Sequence, residues 1–192
     1  MSKGVKKIGP REKLIQTANQ LFYEQGYRNT GISQIISEAD CARASFYHYF
    51  KSKEELCVAY LKTLNEAVME SICGEPTPDP RDRIMQLVED AREFIAEADY
   101  RGCPFINLIA EAPDVNQDIR DIAIENRKGI AEYLATAVEE LGCCKEDKEG
   151  CRDLAEQILI VILGAEVQSQ IYLSDWPFDA AKKTIEKLIN LP

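Results

Sequence analysis

Five residues between positions 43 and 48 carry groups suited to a polyanion: Arg43, Ala44, Ser45, Tyr47 and His48. Arginine pairs with guanine edges in a major groove. Serine and tyrosine hydroxyls and a histidine ring nitrogen reach phosphate oxygens, and a small alanine permits close approach or touches a thymine methyl. A second chemistry is possible at Cys103. At a helix start beside Arg101, its sulfur has the positive end of the helix dipole and a guanidinium nearby, and both favour thiolate. The competing reading is a small buried apolar filler. Cys143, Cys144 and Cys151 lie close in sequence, but without a second CxxC pair or a nearby His they lack structural-zinc spacing, so no metal is expected. Gln168, Gln170, Tyr172 and Trp176 can line a pocket mouth or, equally, an interface.

These groups need elements to hold them, and the hydrophobic spacing is helical nearly throughout. Leu14, Ala18, Leu21 and Phe22 fall at i, i+4, i+7, i+8, as do Ala181, Ile185, Leu188 and Ile189. The spacing predicts a first helix from about Pro10 to Gln25 with Gly26 as its stop. A second covers Ile32 to Ala39 with Thr30 as its cap, and a third covers about Ala42 to Tyr47 after a turn at Asp40-Cys41. Ile32, Ile35, Ile36, Ala39, Cys41 and Phe46 then form an interior, leaving Ser33, Gln34, Ala42 and the polyanion-suited set outside. Ser52 and Glu55 form a capping box for a fourth helix reaching Cys73. Gly74 to Pro80 is a linker that no helix can cross. Five further helices are expected: to about Ala98, from Cys103-Pro104, between Asn116 and Leu141, from Cys151 to Leu173, and from Asp175 to Asn190. The fold class is therefore all-α with about nine helices.

The formal net charge of -10 argues against a nucleic-acid partner until it is resolved along the chain. Residues 1–53 carry nine Lys/Arg against four Asp/Glu, a balance of +5, and the remainder stands at -15. A basic head and an acidic body follow. Lys3, Lys6 and Lys7 form a tail able to add salt-dependent phosphate affinity. An odd count of seven cysteines with no N-terminal signal region suggests free thiols in a reducing, cytoplasmic setting. The longest apolar run, Ile158 to Ala165, is eight residues, so no membrane span is expected. Being apolar on every side, that run is expected to be buried all round.

The stretch Leu14 to Thr30, with Gly26-Tyr27 eight residues after Ala18, followed by Ala39 to Leu56 with the run Phe46-Tyr47-His48-Tyr49-Phe50 and Ser52-Lys53, resembles the N-terminal domain of the TetR family of transcriptional regulators. The resemblance implies a three-helix helix-turn-helix domain over 1–53, a connecting helix over 53–73, and a helical ligand-binding and dimerisation domain over 54–192. It also implies that Thr30, Arg43, Ser45, Tyr47, His48 and Lys53 face DNA. Asp40 stands where the family commonly has Gly, a substitution that left-handed backbone tolerates. Ala44 stands where Gly is frequent, so an operator sequence does not transfer.

The segment Arg101 to Glu111, containing Gly102-Cys103, Asn107-Leu108 and Glu111, is similar to a subgroup in which some members sense electrophiles through that cysteine. Cys103, Asn107 and Glu111, with Gln168, Tyr172 and Trp176, are the candidate ligand or sensor residues. The implied protein is a homodimeric repressor on a palindromic double-stranded DNA operator, paired through the Ile158–Ala165 helix and the last helix. A small-molecule or electrophilic effector would release it, with the fourth helix as lever. No catalytic constellation is present: the one histidine lies in the head and no Gly-rich phosphate loop follows a strand. No enzyme, cofactor or membrane partner is therefore expected. The alternatives are a thiol redox protein acting through Cys103 and a helical carrier or enzyme without DNA affinity.

Overall fold

The computed structural model describes residues 8–74, 77–111, 117–143 and 148–190. Among these the secondary structure is entirely helical. The order is α1 (Pro10–Gln25), α2 (Ile32–Glu38), α3 (Arg43–Tyr49), α4 (Lys53–Cys73), α5 (Pro80–Glu97), α6 (Pro104–Glu111), α7 (Gln117–Leu141), α8 (Lys148–Tyr172) and α9 (Trp176–Ile189). The tail lysines, Cys144, part of the linker and the expected break at Pro113–Asn116 lie outside the described residues.

Local chemistry sets the ends. Pro10 opens α1, where its missing N–H costs no helical bond, and Gly26 closes it at φ 89°. Asp79 caps α5 by accepting from the Arg81 amide at 2.8 Å. Asp40 makes the α2–α3 turn at φ 49°, the conformation that the missing glycine would otherwise supply. The capping box at α4 is shifted: the Glu55 amide donates to Ser52 Oγ at 3.2 Å, but the Glu55 carboxylate accepts from the Lys51 amide at 2.6 Å instead of from Ser52. Thr30 does not cap α2. Gly31 holds that place, and the Thr30 hydroxyl turns inward.

The chain divides into two compact units that do not follow the division at 53/54. The first comprises Met1–Asn65 and Pro104–Ala123, so α6 and the start of α7 join the three N-terminal helices. Within it α1, α2 and α3 pack on one another over Leu14, Leu21, Ile35, Phe46 and Leu56, all nearly inaccessible. The second comprises Glu66–Cys103 and Ile124–Pro192, where α5, α8 and α9 pack mutually around Ile84, Ile95, Leu134, Ile158, Phe178 and Ile185.

Helix α8 is, by length and composition, apolar enough to cross a membrane. Its buried residues instead form one face (Cys151, Ala155, Ile158, Leu159, Ile162, Ala165, Ser169) that packs on α5 and α9. The expectation that Ile158–Ala165 is buried all round is corrected: Ile160 is 67% exposed and Gly164 is exposed. The single chain covers one side of this helix and leaves the other apolar side open.

Candidate nucleic-acid interface and thiol site

Helix α3 is anchored by Phe46, fully buried, and by Phe50 just beyond its end, with ring centroids 6.1 Å apart. That anchorage fixes the opposite face outward. Arg43, Ala44, Tyr47 and His48 are exposed and Ser45 is half-buried. The Arg43 guanidinium lies 5.7 Å from the Tyr47 ring centroid, and His48 stacks edge-on against Tyr49 at 4.7 Å. The face thus presents a cation and hydroxyls on a short exposed helix, the geometry with which a recognition helix meets a major groove.

Thr30 differs from its expected role, and Lys53 is partly engaged within the fold. Thr30 is 1% exposed, and its hydroxyl donates to the backbone carbonyls of Gly26 at 2.8 Å and Leu21 at 3.2 Å, so its side chain offers nothing at the surface. Lys53 is half-buried. Its Nζ donates to the carbonyls of Tyr27 at 2.9 Å and Thr30 at 3.1 Å and sits 4.2 Å above the Tyr27 ring, which leaves one of three donors for an external acceptor. Beside it the Tyr27 hydroxyl donates to Glu54 at 3.2 Å. Burial and then the Glu54 carboxylate push the Tyr27 phenol above its ordinary range. Backbone and Ser52 hydrogen bonds hold Glu54 below its own.

In the second unit, Arg127 of α7 donates from Nη2 to Cys103 Sγ at 2.9 Å. Sequence reasoning assigned that cation to Arg101, whose carbonyl accepts from Gln170 Nε2 at 2.7 Å. Gly102, at φ 82°, permits this approach, since a Cβ there would stand 2.7 Å from Gln170 Oε1. Cys103 also hydrogen-bonds Glu166 of α8, whose carboxyl is pushed up to about 7 by burial, with Arg127 and Cys103 opposing. Arg127 and Glu166 were not found from sequence. The one signal was an acid adjoining the apolar run of α8.

Asn107 and Glu111 belong to the first unit and line a small cavity of about 10 Å³ with Phe22, Tyr27 and Tyr60. Glu111 accepts from the Arg28 amide at 3.4 Å and lies against Gly26, so it braces the α1–α2 corner. Gln168, Tyr172 and Trp176 are exposed, with the Tyr172 and Trp176 rings 5.2 Å apart. The second unit also has a cleft of about 50 Å³ lined by Ser71, Arg83, Gln86, Asp90 and Tyr133, in which Arg83 pairs with Glu140. Its Nε is enclosed without a partner. Neither cavity as it stands approaches the ~300 Å³ of a typical ligand pocket.

A three-helix head with an exposed basic helix on a helical body defines a helix-turn-helix DNA-binding regulator. The family described as bacterial regulatory proteins, tetR family, matches residues 14–60. The tetracyclin repressor-like C-terminal domain matches residues 80–185. The chain belongs to the TetR family, whose members are transcriptional regulators that bind operator DNA and act as dimers; it is not an enzyme. It is 28% identical over 192 residues to the transcriptional repressor NemR of Escherichia coli K12, covering 95% of this chain and 94% of that one. The regulator LmrA of Bacillus subtilis is 30% identical over 137 residues, 69% of this chain and 73% of that one. Among solved structures, the reduced form of E. coli NemR superposes with a TM-score of 0.81 at 27% identity over 96% of this chain and 99% of that one.

Proposed function

We propose that the chain is a homodimeric cytoplasmic repressor that binds a palindromic operator through α2 and α3 and is released by an electrophilic effector at Cys103. The observation that carries the DNA-binding part is the exposed set Arg43, Ala44, Tyr47 and His48, with half-buried Ser45 beside them, fixed by buried Phe46. Lys53 contributes its remaining donor to a phosphate. Thr30 is removed from the contact set and supports the corner instead. Pairing uses the open side of α8 with the α8–α9 connection, where Ile160, Ile171, Leu173 and Trp176 are each about half exposed or more. A two-fold dimer sets half-sites about 34–36 Å apart or a multiple of it. Helix α4 runs from one unit into the other and is the covalent route between head and body. A titration of the purified protein against its own upstream DNA tests the reading: retention must fall steeply with salt and drop when Arg43 and Tyr47 are both changed to Ala. Absence of specific retention removes it.

The effector part is favoured by the Arg127 guanidinium on Cys103 Sγ, since a cation beside sulfur supports thiolate chemistry. Cys103→Ser is expected to abolish operator release by a mild electrophile and to leave DNA affinity intact. Unchanged release eliminates Cys103 as the sensor.

A further inference from the structure

Cys103, Arg127 and Glu166 come from the segment before α6, from α7 and from α8, yet they converge as one hydrogen-bonded cluster. Arg127 donates to the sulfur, and the sulfur hydrogen-bonds the Glu166 carboxyl. The second carboxyl oxygen, Oε2, is enclosed and has no partner, although the residue as a whole is only partly buried. A carboxylate alone beside a thiol would keep the thiol protonated by like-charge repulsion, and an arginine alone would favour thiolate with no nearby group to receive the proton. Together they permit a different event. Moving the proton from sulfur to carboxylate leaves the cluster's total charge unchanged, so no net charge is added to an enclosed site.

We propose that Glu166 is the proton acceptor of Cys103 and Arg127 the group that holds the resulting sulfur anion, so that the three react as one carboxylate-assisted thiol toward uncharged electrophiles. With a haloacetamide the balance is simple. The sulfur forms an S–C bond, iodide leaves with the C–I electron pair, and the thiol proton passes to the Glu166 carboxylate and thence to solvent. Burial brings the carboxyl to about 7, so its acidity lies near the ordinary thiol value of about 8.5 and the two groups are closer than a surface carboxyl and thiol would be. The charged and titratable groups bearing on Glu166 are Arg127 from α7 and Cys103 itself. The physiological meaning of this reactivity rests on the sensor reading above; the chemistry does not.

The test is the rate of Cys103 alkylation by iodoacetamide in the full chain between about pH 5.5 and 9, read by mass spectrometry of the Cys103 peptide. The native protein is expected to gain rate through an inflection near that of the Glu166 carboxyl. Glu166→Gln is expected to lose this inflection and to react at least about tenfold slower at neutral pH, with Glu166→Asp intermediate. Superimposable profiles for native protein and Glu166→Gln overturn the proposal. If Glu166→Gln does not fold, a native profile that follows a single ordinary thiol titration overturns it equally. Operator release scored in the same samples separates the two readings. Glu166-dependent alkylation without release removes the sensor and keeps the proton acceptor, whereas release with an unchanged Glu166→Gln profile does the reverse.

Discussion

Thr30 and Lys53 are polar residues whose partners lie within the fold. Thr30→Val leaves the Gly26 and Leu21 carbonyls without their hydroxyl donor and is expected to cost about 1–3 kcal/mol of stability, read by denaturant unfolding, while Thr30→Ser restores most of it. A contact role would instead spare stability and reduce operator affinity. Gly26→Ala meets two obstacles: φ of 89° and a Cβ 2.6 Å from the Glu111 carboxylate. It should destabilise by at least about 1 kcal/mol, and Glu111→Ala in the same chain should relieve only the steric part, a partition that thermal melts can measure. The exposure of Arg43, Tyr47 and His48 was legible because an exposed face follows from the helical position of buried Phe46. Thr30 was misread because a hydroxyl at a helix start reads as a cap, whereas the backbone carbonyls it satisfies come from the preceding turn and the end of α1. Arg127 and Glu166 were invisible, since their meeting with Cys103 depends on how three distant segments pack.

At the scale of elements, hydrophobic period and punctuation placed every helix to within a few residues. Pro10, Gly26 and Pro80 act through backbone constraints and Ser52 through a side-chain cap, all of them local and therefore readable. What sequence cannot distinguish is an apolar helix face covered by its own chain from one left open for a partner, because both have the same composition. The open side of α8, proposed above as the pairing surface, depends on that distinction. Ile160→Asp combined with Ile171→Asp is expected to convert the dimer to monomer in analytical ultracentrifugation and to abolish operator retention while leaving the head folded, because both residues are about two-thirds exposed in the single chain. Helical content should stay near native, since neither residue belongs to the packed face of α8.

At the scale of the molecule, the net charge of -10 separates into a positive N-terminal segment and a strongly negative remainder, a distribution that favours the proposed DNA contact through the N-terminal helices. Titration also couples the fold to pH. The carboxyl of Glu166 is raised in the folded state, so the native protein binds its proton more tightly than the unfolded chain does. The contribution of this group to stability is therefore fully present below the ordinary carboxylate range and is lost as pH rises through about 7, where the buried group must ionise. The loss is about 3 kcal/mol as an upper bound from this group alone. Comparing melting temperatures of the native protein and Glu166→Gln from pH 5 to 8 should show the flatter profile in the variant.

The first compact unit draws on Met1–Asn65 and again on Pro104–Ala123, with part of the second unit intervening in the chain. During synthesis, therefore, the N-terminal segment emerges from the ribosome long before the residues that complete its unit. The nascent head must wait, at about 5–20 residues per second, for several seconds without α6. An expression fragment cut at the end of the fourth helix would be frozen in that waiting state. A circularly permuted chain beginning just before Pro104 would present α6 first, so that the head would emerge with it already made.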